Sequence, residues 1–204
     1  MANYEFTVDW FTNKAGAWAR LLDPNPPGNV LEIGSWEGRS SCYIVDRFAA
    51  KHPLQLFCVD TWGGGIEHGR WTMSEVESRF DRNLAIAVEQ APHPVRLRKI
   101  RCHSAAALAQ LIVEFAEPPF DLIYVDGSHQ APDVLTDAVL AFRLLRVGGV
   151  MIFDDYQWRM KPPLGDNPLT RPRPAIDAFA RLFADKLRRL ECHPQQYAVR
   201  KTEA

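Results

Sequence analysis

The sequence predicts an α/β fold with a mainly parallel sheet, and two observations support this class. Short apolar runs alternate with longer segments of helical character along most of the chain, which is the pattern of parallel strands joined by crossover helices. The chain has 204 residues, of which 47% are hydrophobic, enough for one sizeable core. We therefore predict a single domain over residues 1–204.

The apolar runs and the segments between them give the order of the elements. Strands are predicted over residues 29–34, 55–60, 95–102, 121–126 and 149–154. Helices are predicted over residues 38–51, 74–90, 104–115 and 132–146. Ser74 and Glu77 have the spacing of a capping box, so the second of these helices should begin at Ser74. Pro132 suits the first turn of a helix.

The two ends of the chain add features to this alternation. A last helix is predicted over residues 174–187, followed by two strands on either side of His193 and Pro194. This hairpin distinguishes the chain from a plain dinucleotide-binding unit. The N-terminal residues 1–28 should be helical, and residues 4–22 have an amphipathic pattern. That face would suit either a cover over the active site or pairing with a second subunit, so a homo-oligomer remains open.

Composition excludes several classes of function. The net charge is −1, so the sequence has no basic footprint for nucleic acid. It contains no apolar run long enough to span a membrane, and its start lacks the pattern of a signal peptide. The four cysteines show no CxxC spacing. Reduced thiols in a cytoplasmic protein are the expectation.

The segment VLEIGSWEGRSS, residues 30–41, has the character of a ligand-binding turn. A strand ends near Glu32, Gly34 allows a tight backbone turn, and a helix follows Gly38. The helix N-terminus offers free N–H groups, and Glu32 offers an acceptor suited to an ammonium group. Because the glycines do not follow G-x-G-x-x-G spacing, a dinucleotide is disfavoured; an ordinary strand-to-helix turn is the alternative.

Asp60 closes the second predicted strand, where an acid can accept both hydroxyls of a ribose. A helix cap or a surface acid is the alternative. Trp62 follows closely, and its ring suits either the face of an adenine or packing within the loop. Residues 61–73 and 156–174 form long irregular loops after strands, where such folds bind ligands. We expect both to be active-site loops, with His68, Trp71, Trp158 and Arg159 as candidates for acceptor contacts or for simple packing.

Three acids follow two neighbouring strands. Asp126 ends the fourth strand, and Asp154 and Asp155 end the fifth. The carboxyl ends of parallel strands meet at one edge of a sheet, and three carboxylates gathered there repel unless a positive charge neutralises them. Oxygen ligands suit Mg²⁺, Mn²⁺ or Ca²⁺. The alternative is a set of helix caps and salt bridges to Arg159, Arg171 and Arg173.

The segment VLEIGSWEGRSS resembles the first motif of class I S-adenosylmethionine-dependent methyltransferases, and Asp60 matches their second-strand acid. The likeness covers nearly the whole chain and is closest to small metal-assisted O-methyltransferases, of the catechol type or the macrolide-sugar type. It implies a Rossmann-like, seven-stranded, mostly parallel sheet with an antiparallel C-terminal strand and helices on both faces.

The resemblance also implies roles for particular residues. The cofactor S-adenosylmethionine would be bound by Glu32, Gly34, Ser35, Trp36, Ser40, Asp60, Thr61, Trp62, His103, Ser104 and Asp126. A divalent cation, Mg²⁺ first, would be bound by Asp126, Asp154 and Asp155. Catechol-type enzymes usually carry Asp-Asn where this chain has Asp-Asp, which favours the natural-product branch.

The expected function is methyl transfer to a hydroxyl of a small molecule, of sugar or natural-product type. A metal lowers the pKa of a bound hydroxyl, and an imidazole can take its proton near neutral pH. His129 stands where the catechol branch has a general-base lysine, and Asp126 is the second candidate. Three alternatives remain: a metal-independent methyltransferase of the same fold, a fold relative that binds nucleoside and metal without transferring methyl, and a nucleoside-binding module without catalysis.

Overall fold

The computed structural model describes residues 3–65, 68–69, 71–161 and 167–204. The described residues form seven strands in a mixed sheet, together with six α-helices. This confirms the predicted fold class. The chain divides into two compact units, residues 1–103 and residues 104–204.

The first unit contains three parallel strands and three α-helices. The strands are β1 (Asn29–Ile33), β2 (Leu54–Asp60) and β3 (Val95–Arg101), in the order β3-β2-β1. The helices are α1 (Ala15–Leu22), α2 (Arg39–Phe48) and α3 (Met73–Gln90). Strands β1 and β2 are buried along almost their whole length, whereas β3 alternates. The continuous burial of β1 and β2 explains why their sequences are apolar runs.

The second unit combines parallel and antiparallel pairs. Its helices are α4 (Ser104–Glu114), α5 (Ala131–Leu144) and α6 (Arg173–Leu182). Its strands are β4 (Phe120–Val125), β5 (Leu145–Phe153), β6 (Leu187–Leu190) and β7 (Tyr197–Lys201), in the order β4-β5-β7-β6. Strand β4 is parallel to β5, and β7 is antiparallel to both β5 and β6. The predicted hairpin around His193 and Pro194 is therefore confirmed.

Four predicted boundaries are wrong. Helix α3 begins at Met73 after Thr72, without a side-chain cap, so Ser74 and Glu77 do not form a capping box. The carboxylate of Glu77 lies 2.8 Å from the Lys99 ammonium instead, an ion pair that fixes α3 against β3. Strand β5 begins at Leu145 directly after α5, rather than after the two glycines. The last helix, α6, ends at Leu182 rather than at residue 187. Among the described residues of the N-terminal segment, residues 12–22 are helical.

The N-terminal residues that precede this helical part are bound to the turn after β1 and to α3. The backbone N–H of Thr7 donates to the buried Glu37 carboxylate at 2.7 Å, and the Thr7 hydroxyl donates at 2.8 Å. Asn83, on α3, exchanges two hydrogen bonds of 2.9 Å with the backbone of Glu5. The segment is thus fixed over the turn that carries the first motif. None of the described helices is both long enough and apolar enough to cross a bilayer.

Candidate cofactor and metal sites

The turn after β1 has the tight geometry predicted for it. Gly34 has φ +86°, and its N–H donates to Val59 at 2.8 Å, which joins the turn to β2. Gly38 has φ +81°, and a Cβ there would overlap Leu84 and lie 3.1 Å from Phe80. Glycine is needed at residue 38 for both its backbone conformation and its small volume.

Glu32 is fully buried beneath this turn. Its carboxylate accepts hydrogen bonds from the hydroxyls of Ser35 at 2.7 Å and Ser40 at 2.5 Å, and from the hydroxyl of Ser41. Burial raises the pKa of Glu32, and the serine hydroxyls act in the opposite direction. The acid therefore links the end of β1 to the first turn of α2. Its oxygens already have protein donors, so the structure shows Glu32 as an organiser of the turn.

Asp60 is fixed at the end of β2 by three backbone donors. One carboxylate oxygen accepts from the N–H groups of Ser35 at 2.8 Å and Trp36 at 3.0 Å. The other oxygen accepts from the N–H of Trp62 at 2.7 Å. A carboxylate offers about four acceptor positions, and Asp60 is partly exposed. The group is oriented and has capacity for a hydroxyl donor.

The other predicted cofactor residues of this unit lie around Asp60. His103 is exposed and follows Cys102, whose N–H donates to the Asp60 carbonyl at 3.0 Å. The hydroxyl of Thr61 accepts from the N–H of Gly63 at 3.0 Å and so shapes the loop. Trp62 is only 2% exposed, and its ring packs on Phe80. This burial favours the packing alternative for Trp62.

Trp36 belongs to a cluster of four aromatic rings. Its ring centroid lies 4.5 Å from His68, 5.3 Å from Trp71 and 5.4 Å from Trp10. Trp36 has φ +50°, and its indole Nε1 is buried without a hydrogen-bond partner in the described part of the chain. Trp10 is 47% exposed. Trp36 therefore has a strained backbone and packs against the exposed Trp10. Together these rings form an apolar surface next to Asp60.

In the second unit, the three predicted metal ligands are close together. Asp126, Asp154 and Asp155 each offer an oxygen atom, and these three atoms lie within 4.8 Å of one another. The acids line a cavity together with Val125, Phe153 and Pro172. Asp155 has φ +55°, a conformation that aspartate adopts more readily than most residues. Hard oxygen donors at this separation fit Mg²⁺, Mn²⁺ or Ca²⁺.

Further hydrogen bonds fix Asp154, which is 3% exposed. One of its oxygens accepts from the N–H of Asp155 at 2.7 Å. The other accepts from the Gln196 amide at 3.1 Å and contacts the Tyr124 hydroxyl. The same hydroxyl lies 2.9 Å from Asp126. Arg173, one of the arginines considered as a salt-bridge partner of these acids, pairs instead with Asp177 at 3.4 Å.

His129 lies beside the acids. Its Nε2 is 2.9 Å from an oxygen of Asp155, and its ring centroid is 4.0 Å from that of Trp158. An acid that orients an imidazole is the arrangement found around many general bases. Ser104, predicted to approach the adenine, begins α4, and its hydroxyl is hydrogen-bonded to the buried Asp137.

Two side chains at these sites were missed by sequence reasoning. Tyr124 has the hydropathy of a core strand residue, and Gln196 lies in the C-terminal turn. The hydroxyl of Tyr124, two residues before Asp126, was the only available signal. Parts of the two predicted active-site loops, residues 66–67, 70 and 162–166, lie outside the described residues.

The seven-stranded mixed sheet with a glycine turn after β1 and an acid at the end of β2 is the class I methyltransferase fold. Residues 31–156 match the family described as "Methyltransferase domain". The chain belongs to this family. A curated relative, uncharacterized protein R132 of Acanthamoeba polyphaga mimivirus, is 24% identical over 135 residues, which are 65% of this chain and 53% of the viral protein.

Solved O-methyltransferases share the fold. The Bacillus cereus O-methyltransferase in complex with SAH (S-adenosylhomocysteine) has a TM-score of 0.64 and 20% identity, over 96% of this chain and 84% of that one. TomG from Streptomyces achromogenes, in complex with SAM (S-adenosylmethionine), has a TM-score of 0.57 and 18% identity, over 93% and 78%. MycE of the mycinamycin biosynthetic pathway, in complex with Mg, SAH and mycinamycin VI, has a TM-score of 0.59 and 20% identity, over 98% and 51%.

Proposed function

We propose that this chain is an S-adenosylmethionine-dependent O-methyltransferase, assisted by a divalent cation, that acts on a hydroxyl of a small molecule. The observation that carries the proposal is the pair of sites at strand ends. One is Asp60 with its three backbone donors, and the other is the group of acids at Asp126, Asp154 and Asp155.

The first site supports cofactor binding. Asp60 would accept the ribose hydroxyls, and the partly buried turn from Gly34 to Trp36 would contact the methionine portion of the cofactor. Ser35 and Ser40 are held by Glu32, so the turn is preorganised before a ligand arrives. His103, Thr61 and Ser104 remain proposed contacts of the nucleoside, and Trp62 would act indirectly, by packing beneath the loop.

The second site supports activation of the acceptor hydroxyl. Asp126, Asp154 and Asp155 would hold a cation, Mg²⁺ in the first place, which lowers the pKa of a hydroxyl bound to it. His129 would take the proton, with Asp155 holding its ring at 2.9 Å. Since Asp126 would be occupied as a ligand, it is the weaker base. An oriented imidazole near neutral pH contributes about 10² to 10⁴ in rate.

The acceptor is proposed to be a sugar or natural-product hydroxyl. Catechol-type enzymes usually have Asp-Asn where this chain has Asp154 and Asp155, and this difference favours the natural-product branch over simple catechols. MycE shares the fold, and its complex contains Mg, SAH and mycinamycin VI. The cysteines of the described residues are all free thiols, in keeping with a proposed cytoplasmic location.

Two measurements test the function. Isothermal titration with S-adenosylhomocysteine should show binding, and the absence of heat at high protein concentration would overturn the cofactor assignment. Transfer of labelled methyl from S-adenosylmethionine should then be measured on a panel of glycosylated and phenolic hydroxyl compounds, with and without a chelator. Transfer that resists the chelator and also survives Asp126→Asn would show a metal-independent enzyme. Asp185→Asn, an exposed acid outside both sites, is the matched control.

A further inference from the structure

Tyr124 occupies an unusual position between two of the proposed metal ligands. Its side chain is 1% exposed, one residue before the end of β4, where an apolar residue would suffice for packing. Its hydroxyl nevertheless lies 2.9 Å from Asp126 and also contacts Asp154. Burying a hydroxyl costs free energy unless it is hydrogen-bonded. The contact with both acids is therefore the reason to place a tyrosine here.

Gln196 contributes a second contact from a different element. It is 2% exposed, and its amide donates to Asp154 at 3.1 Å. Its backbone N–H donates to the carbonyl of His193 at 2.8 Å, and the neighbouring Gln195 carbonyl accepts from Tyr156 at 2.8 Å. The turn between β6 and β7 is thereby fixed, and it holds the amide against the acid.

The charges explain what these two contacts accomplish. Asp126 and Asp154 repel each other when both are ionised. A tyrosine hydroxyl is an O–H donor, and that of Tyr124 lies against an oxygen of each acid. The hydroxyl has one proton, which it shares between the two carboxylates, and as a neutral donor it lets them stay close without neutralising either one. Neutral donors thus leave the negative charge of the pair available to a cation.

We propose that Tyr124 and Gln196 are positioning residues of the metal site. The Tyr124 hydroxyl sets the separation of Asp126 and Asp154, and the Gln196 amide sets the rotation of the Asp154 carboxylate. Outer partners of this kind are commonly worth about 10- to 100-fold in metal affinity. The inference rests on the metal part of the proposed function. The inference also gives the C-terminal hairpin a role, because the turn between β6 and β7 holds Gln196 against Asp154. Methyl transfer alone gives no reason for this hairpin.

Tyr124→Phe tests the inference because it removes the hydroxyl and keeps the ring. Mn²⁺ affinity of the folded protein should be measured by the electron paramagnetic resonance signal of the free ion, without substrate or turnover. We expect Tyr124→Phe to weaken Mn²⁺ binding about 10- to 100-fold and to leave S-adenosylhomocysteine affinity within about twofold. Tyr43→Phe is the matched control, since its hydroxyl donates to the Ala15 carbonyl, outside the acid cluster.

Gln196→Met provides a second variant that keeps the volume of the side chain. It should also weaken Mn²⁺ binding, and the double variant should lose less than the sum of the two effects, because both residues act on Asp154. Unchanged Mn²⁺ affinity in a folded Tyr124→Phe protein would overturn the inference and leave the metal site standing. A wild-type protein that binds S-adenosylhomocysteine but no Mn²⁺ would overturn both the metal assignment and the role of Tyr124.

Discussion

At the scale of single residues, the chemistry depends on how His129 is held. Its Nε2 is 2.9 Å from Asp155, and the Trp158 ring centroid lies 4.0 Å from its own, so both contacts orient the imidazole, and Nδ1 is the nitrogen that would take the proton. Fixed orientation is what a general base needs, because proton transfer requires a lone pair aimed at the proton. The same contact shows why sequence alone left the role open. Asp155 follows His129 by 26 residues, and only the fold brings them together.

His129→Ala is expected to slow methyl transfer about 10²-fold or more at saturating cofactor. S-adenosylhomocysteine affinity should stay the same, because Asp60 and its backbone donors are untouched. The measurement is a single-turnover rate with labelled cofactor, beside a titration of S-adenosylhomocysteine. His52→Ala, which removes a histidine bonded to backbone carbonyls in the first unit, is the control. An unchanged rate would show that His129 is not the base.

Asp137 affects the stability of the folded protein rather than the proposed reaction. It is 1% exposed, and its Oδ1 is buried without a hydrogen-bond partner among the described residues. Burial raises the pKa of Asp137 to about 6, which the hydrogen bond from Ser104 opposes. Because the folded state holds this proton more tightly than the unfolded state, the aspartate costs stability as pH rises between about 4 and about 6.

Asp137→Asn should therefore raise the free energy of unfolding at pH 7.5, by at most about 3 kcal/mol. The gain should shrink as pH falls through about 6 toward 4, where the wild-type side chain is neutral as well. Urea unfolding at several pH values measures the difference. Glu117→Gln, an exposed acid-to-amide change, should have little effect at any pH. A gain that grows at low pH would contradict the assigned cause.

At the scale of elements, the first site depends most on the backbone conformation and the packing of the turn between β1 and α2. Gly38 precedes α2 with φ +81°, and the space beside it is filled by Leu84 and Phe80 of α3. The turn can keep its shape only while this packing is undisturbed. A substitution at Gly38 therefore tests whether the turn geometry supports cofactor binding.

Gly38→Ala is expected to destabilise the protein by about 2 kcal/mol or more, through backbone strain and overpacking together. It should also weaken S-adenosylhomocysteine binding, because the N–H groups of Ser35 and Trp36 would lose their fixed geometry on Asp60. Gly16→Ala is the matched control. Residue 16 lies in α1 with room for a methyl group, so stability should change little or rise. Equal effects at the two glycines would contradict the argument.

The elements also show which boundaries of the fold can be predicted from sequence patterns and which cannot. Strands β1, β2 and β4 were predicted within a residue or so because they are buried on both faces, which produces an unbroken apolar run. The start of α3 was mispredicted because Thr72 precedes the helix without a side-chain bond. Local signals cannot reveal which side chain the tertiary contacts will use. Glu77, for example, pairs with Lys99 on β3 instead of capping its own helix.

At the candidate sites too, the residues that follow a local sequence pattern could be predicted, and those that depend on tertiary contacts could not. Asp60 could be predicted because it ends β2. Asp126, Asp154 and Asp155 could be predicted because they follow β4 and β5, two parallel strands that end at a common edge. The contacts that hold these acids could not. Tyr124 comes from β4 and Gln196 from a turn near the C-terminus, so their meeting at Asp154 depends on the antiparallel pairing of β7 with β5.

At the scale of the whole molecule, ligands and stability are linked. Three carboxylates within 4.8 Å cost stability while no cation neutralises them. Any ligand that binds the folded state shifts unfolding by mass action, so a cation at 100 times its Kd stabilises by about 2.7 kcal/mol. For a chain of this length that corresponds to a rise in Tm of roughly 5–10 °C. Thermal unfolding thus reports on the metal site without any knowledge of the acceptor.

We expect Mn²⁺ or Mg²⁺ to raise the Tm by this amount, and Asp126→Asn to abolish the rise. Asparagine has the shape of aspartate and its side-chain oxygen can accept the hydrogen bond from the Tyr124 hydroxyl, so the variant should fold. Without a cation its Tm should equal or exceed that of the wild type, because one of three repelling charges is gone. Asp185→Asn, which leaves the cluster intact, should respond to the cation as the wild type does. Differential scanning fluorimetry with and without chelator measures all three proteins. A metal-dependent rise that persists in Asp126→Asn would place the cation elsewhere in the molecule, whereas a wild type without any rise would mean that the acids are held by hydrogen bonds alone.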